Sequence, residues 1–182
     1  MQPVDVIREA NSSPTGLPSA SAQDLLAYQA IPYTIEGMGE QHAVFRAAVL
    51  ELLFQHHLQK SLSLADRTLI RFLLEQEIAC YRNEYITADD NLHLAGYLLF
   101  VLGQLDDVEL LWRAKTANFD AEWSFDIQFL VGAGIAPTKA YLQSSQQEWA
   151  VEARKYIETC EEAGDFQDME GYRLDRERYF SS

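Results

Sequence analysis

The sequence predicts an all-α protein: a single-domain bundle of antiparallel helix pairs, about seven or eight helices in number, behind a flexible N-terminal lead-in. Three observations carry this expectation. Apolar residues recur at spacings of three and four through most of the chain, which is the period of a helix buried along one side. The periodic stretches are rich in Ala and Leu, the residues that lose least on entering a helix. The connections between them are short and carry Gly or Pro. A chain of 182 residues with 48% apolar content is long enough to bury a real core without a disulfide or metal staple.

Residues 1–22 are rich in Ser, Pro, Ala and Asn and show no clear period, so they read as the lead-in, with 23–182 as the helical domain. A short helix over 21–30 carries Leu25, Leu26 and Tyr28, and Pro32 stops it. Residues 31–39 then form an extended connector, because a proline pushes its predecessor out of the helical region. Residues 41–60 place Val44, Ala47, Ala48, Leu52, Leu53 and His56 at helical spacing. Ser63 stands three residues before Asp66, close to a capping box, and opens a helix to about residue 85 through Leu69, Leu73 and Cys80. Asp90 is placed to cap the next helix, 91–102, whose Leu92, Ala95, Leu98, Leu99 and Leu102 form a wide stripe ended by Gly103. Only Gln104 and Leu105 separate it from a helix beginning at Asp106, and so short a link predicts a helical hairpin.

Residues 123–131 admit two readings: Phe125, Ile127, Phe129 and Val131 alternate as in a strand, while Trp123, Ile127 and Leu130 suit a helix. A lone strand would lack a partner, which favours the helix. Gly132-Ala133-Gly134 reads as a helix stop and Pro137 as the start of a short helix through Leu142. Residues 146–163 form a helix through Trp149, Ala153, Tyr156, Ile157 and Cys160, stopped by Gly164, and 166–180 a last, partly frayed one.

Within the hairpin, Leu92, Ala95, Gly96, Leu99, Gly103, Leu105, Asp106 and Asp107 sit much as the small and turn positions of a tetratricopeptide-like hairpin, so residues 92–116 resemble one. The second helix departs from that pattern at Val108, Ala114 and Lys115, and no second copy recurs at the repeat period of about 34 residues. The resemblance implies stacked helix pairs.

The formal charge is −14, and it is unevenly placed. Residues 88–128 hold Asp89, Asp90, Asp106, Asp107, Glu109, Asp120, Glu122 and Asp126 against only Arg113 and Lys115. Residues 148–178 hold ten acidic residues against five basic ones. Such a surface repels phosphate backbones and anionic lipid, so neither nucleic acid nor membrane is expected as a ligand, and a basic protein is. No basic, apolar leader opens the chain and no apolar run reaches the roughly 18 residues of a membrane span, so a cytoplasmic location is expected.

Motifs for chemistry are weak. His56 and His57 point to different sides of one helix, no HExxH is present, and the pair Asp90 and His93 is a lone acid–histidine spacing; no metal site is expected. Residues 131–139, Val-Gly-Ala-Gly-Ile-Ala-Pro-Thr-Lys, lack the Gly-Lys-Ser/Thr ending of a phosphate loop and the third small residue of a dinucleotide fingerprint, so no cofactor is expected. Cys80 and Cys160 read as inert thiols, and no serine sits in a GxSxG turn.

The remaining signal is the interleaving of Trp112, Phe119, Trp123 and Phe125 with acids over fourteen residues. Aromatic anchors inside an acidic rim suit a basic partner, although core aromatics with solvated acids would give the same pattern. The expected partner-binding residues are Asp106, Asp107, Glu109, Trp112, Asp120, Glu122, Trp123 and Asp126, with no catalytic residue assigned. The function expected is a non-enzymatic interaction protein, in one concrete form an immunity-type inhibitor of a toxin or effector. Two alternatives stand beside it: a helical enzyme or small-ligand binder with a pocket near His93 and Trp112, and a scaffold or chaperone built on helical hairpins.

Overall fold

The computed structural model describes residues 1–30, 41–83 and 90–182. Among these every regular element is helical: ten α-helices and two 3₁₀ segments, more than the seven or eight expected. In chain order the helices are α1 (Pro3–Ser12), α2 (Ala20–Leu26), α3 (Gln41–Leu58), α4 (Arg67–Asn83), α5 (Asn91–Leu102), α6 (Val108–Lys115), α7 (Phe119–Ser124), α8 (Ile135–Ser144), α9 (Glu148–Ala163) and α10 (Met169–Phe180). The 3₁₀ segments are Leu105–Asp107 and Ile127–Val131. No helix of the described residues is long and apolar enough to cross a membrane. The connector expected over 31–39 and the end of the helix expected near residue 85 lie outside the described residues.

One apolar cluster draws on α1 through α9, and α5 sits at its centre, packed chiefly against α4 and α3. Of the stripe anticipated for residues 91–102, Leu92, Ala95, Leu98 and Leu99 are buried and Leu102 is half-buried, and Tyr97 and Phe100, outside that stripe, are buried as well. Gly103 ends this helix in the left-handed conformation at φ 61°, as its position predicted. The helix after it packs more closely on α4 than on α5.

Three local expectations are corrected. The lead-in is not featureless, because Val6, Ile7 and Ala10 of α1 are buried in the core. Its end is pinned where Asn11 Nδ2 donates to Asp66 Oδ1 at 2.9 Å, and the buried Asp66 carboxylate also accepts the Ser63 backbone N–H at 2.9 Å. Asp90 makes no capping hydrogen bond to α5; its carboxylate accepts the Tyr179 hydroxyl instead. Residues 123–131 are neither one α-helix nor a strand, since α7 ends at Ser124 and a 3₁₀ segment follows.

Two polar clusters cross the core. Arg46, fully buried on α3, donates to Glu77 Oε1 of α4 at 2.5 Å and to the Leu26 carbonyl at 3.1 Å. Asn91 Nδ2 bridges the same Glu77 oxygen to the Ala43 carbonyl. In the second cluster, Arg67 Nε and Nη2 fork onto the buried Asp107 carboxylate at 2.9–3.1 Å, and Arg71 donates to it as well.

Candidate functional site

The eight residues predicted to meet a partner separate into distinct environments. Asp107 is fully buried and spent on Arg67 and Arg71, so it ties the start of α6 to α4 and reaches no surface. Trp112 is buried to 8% exposure and turns toward α9. Asp126 is partly buried and accepts the Tyr172 hydroxyl at 2.7 Å, with Arg176 Nη1 at 3.4 Å. Asp106 and Glu109 are exposed at the start of α6. Asp120, Glu122 and Trp123 are exposed together on α7.

The geometry of α7 is the distinctive feature. Trp123 is 77% exposed and Phe119, four residues earlier on the same face, is 72% exposed, with ring centroids 6.2 Å apart. Leaving each ring in water forgoes about 2 kcal/mol of burial, so two side by side are a costly arrangement to keep. Ala121 is the one buried residue of this helix. Both ends are nonetheless fixed. Asn118 caps the N-terminus by accepting the Ala121 N–H at 2.8 Å and donates to the Tyr81 carbonyl at 2.6 Å. Lys115 Nζ donates to the carbonyls of Glu122 at 2.5 Å and Phe125 at 2.9 Å, closing the C-terminal end. A tethered helix therefore presents two aromatic rings and two acids to solvent.

Lys115 itself was not anticipated. It is 3% exposed, its ammonium lies 5.4 Å from the Tyr156 ring centroid, and burial pushes its ionisation below the ordinary lysine range. The sequence did hold a signal: in a strongly acidic chain, no acid stands three or four residues to either side of it. Above it, between α6 and α9, opens a cleft of about 360 Å³ whose lining includes Trp112, Glu122, Glu152 and Tyr156. Burial also raises the Tyr156 phenol, and the Cys160 thiol is pushed up to about 11 by burial first and then by the hydrogen bond and charge of Asp165.

His93 does not share this cleft with Trp112. Its Nε2 lies 3.2 Å from Ser124 Oγ and its Nδ1 3.8 Å from Asp90 Oδ1, an order that suggests nucleophile, base and acid. The hydrogen bonds contradict the suggestion. The Ser124 hydroxyl donates to the Asp120 carbonyl at 2.8 Å, which leaves His93 Nε2–H to donate to Ser124. Nδ1 then carries a lone pair with no donor facing it, and 3.8 Å is too long for a hydrogen bond. Burial holds the imidazole below its ordinary range, against the opposing charges of Asp90 and Asp126. Among the described residues no group of three or more His, Cys, Asp or Glu side chains is arranged to hold a metal ion.

The chain matches no protein-family model, no curated protein and no solved structure.

Proposed function

We propose that this protein is a non-enzymatic interaction protein that holds a basic protein partner on the surface centred on α7, with an immunity-type inhibitor of a toxin or effector as its concrete form. The observation that carries the reading is the outward pair Phe119 and Trp123, flanked by Asp120 and Glu122 on a helix tethered at both ends. Aromatic side chains supply most of the energy of typical interfaces, and rigid presentation lowers the entropy lost on docking. The acids around them, within a chain of net charge −14, select a partner of opposite sign.

The test compares the wild-type chain with F119A/W123A as bait in the native cell, at low salt. The reading expects a basic protein retained by the wild type, with affinity reduced at least roughly 30-fold by the double substitution. Neither ring packs in the core, so the variant keeps its fold and the comparison reads binding. A partner that binds both forms equally, or one that is acidic, sinks the proposal.

A further inference from the structure

We infer that α10 is a pH-sensitive strap: proton uptake by His93 loosens this helix from the rest of the chain and uncovers the aromatic floor beneath it. Tyr172, Arg176 and Tyr179 recur four and three residues apart, so they share one side of α10. From that side Tyr172 and Arg176 reach Asp126, and Tyr179 reaches Asp90. The Arg176 guanidinium lies 5.8 Å and 5.1 Å from the Tyr172 and Tyr179 ring centroids. Beneath the helix, Tyr172 and Phe180 meet the rings of Phe54, Tyr97, Phe100 and Phe129 at 5.4–6.3 Å. The buried Phe166 fixes the root of the strap, about which Met169–Phe180 can swing.

His93 stands where the strap meets the body. It is faced by Asp90 at the start of α5, by the Ser124 hydroxyl at the end of α7, by Asp126 beyond it, and by Arg176 of α10. Among the described residues neither His93 Nδ1 nor Arg176 Nε has a hydrogen-bond partner, although both are buried. These neighbours divide by the side they belong to. Asp90, Asp126 and Ser124 favour a proton on the imidazole, and they stay behind when α10 leaves. Arg176 opposes that proton and departs with the strap, which also frees Asp126 and Asp90 from their α10 partners. Burial, the largest cause holding His93 below its ordinary 6.5, weakens wherever opening admits water. The open form therefore binds the proton more tightly, and by linkage acid favours opening. Tyr172 and Tyr179 do not titrate in this range, because burial and the Asp90 hydrogen bond respectively raise their hydroxyls. One contact has the opposite sign: His57 faces Glu177 at 3.0 Å, with Arg173 at 3.6 Å, and a charged His57 would tighten the strap.

The test follows hydrogen exchange of α10 and α5 amides by mass spectrometry at about pH 7.5 and about pH 5.5, corrected for intrinsic rates, in the full chain and in H93Q. Taking the ratio of the two variants cancels the His57 contribution and any general loss of stability in H93Q. The inference expects acid to lower α10 protection roughly threefold more in the wild type than in H93Q, with a ceiling of about tenfold one pH unit below 6.5. R176Q, which keeps His93 but loses the departing cation, should respond less than the wild type. Equal α10 responses in the wild type and H93Q overturn the strap, as does an acid response seen in α5 alone, which would tie His93 to global unfolding only. Protection of α10 equal to that of α5 at both pH values overturns it too, since the helix would then have no opening of its own.

Discussion

Adjacent acids in this chain have opposite roles, and the difference is measurable. Asp107 is completely buried against Arg67 and Arg71, whereas the Asp106 side chain is 82% exposed and 4.0 Å from Arg67. Removing one member of a fully buried ion pair costs roughly 3–5 kcal/mol, but these two arginines are 24% and 33% exposed, so solvent screens part of the loss. D107N is expected to lower unfolding free energy by about 2 kcal/mol, and D106N by less than about 0.5 kcal/mol, both read by urea denaturation. Equal effects would mean that Asp107 is not the anchor of α6.

His93 gives a second residue-level expectation, with its sign set by burial. Native His93 resists protonation below its ordinary value of 6.5, while the unfolded chain takes up the proton there. The unfolded state then binds more protons, so stability falls as pH drops through about 6.5 toward the lower native value. Asp90 and Asp126 oppose this shift and Arg176 adds to it, which makes burial the decisive cause. Denaturation curves of wild type and H93Q collected across this window should diverge, the wild type losing more stability on acidification. Parallel curves would refute the assignment.

Among the elements, α10 is attached unlike the rest. None of its residues is fully buried, and it is held by polar contacts at intervals along its length. Tyr172 and Arg176 meet Asp126, Glu177 meets His57 at 3.0 Å, Tyr179 meets Asp90, and the Phe180 ring lies 5.4 Å from that of Tyr97. Partly exposed hydrogen bonds and ion pairs each contribute only about 1 kcal/mol, so the helix should open well below the global unfolding energy. Native-state hydrogen exchange is expected to show the amides of α10 exchanging before those of α5, whose side chains fill the core. Simultaneous exchange would show that α10 unfolds only with the whole.

For the whole molecule, the net charge of −14 governs encounter more than affinity. With a basic partner of the kind proposed, raising salt from about 0.01 M to 0.15 M shortens the Debye length from about 30 Å to 8 Å. The association rate should fall by roughly tenfold or more over that range while dissociation changes little, as stopped-flow kinetics would show. A salt effect confined to dissociation would place the charges inside the contact instead of around it.

Periodicity and punctuation made the helices legible from the residues alone. The run 91–102 and its glycine stop at Gly103 follow from spacing, because an apolar stripe twelve residues long has few ways to leave water other than as a helix in a core. The acidity, and its concentration around one aromatic stretch, were equally a property of composition. Local pattern could not decide which member of a chemically similar pair faces inward. Asp107 and Asp106, or Trp112 and Trp123, differ only in what other helices bring against them: Arg67 and Arg71 from α4, and Tyr156 from α9. Helix α1, by contrast, was legible and was passed over: Val6, Ile7 and Ala10 stand three and four apart behind Pro3 and a Gln2–Asp5 capping box, but the Ser- and Pro-rich residues 11–19 that follow hid so short a period. The charge and the helices were thus determined by the sequence, while the outward aromatic pair and the cleft beside it were decided by tertiary packing, because burial is a relation between elements and not a property of any one of them.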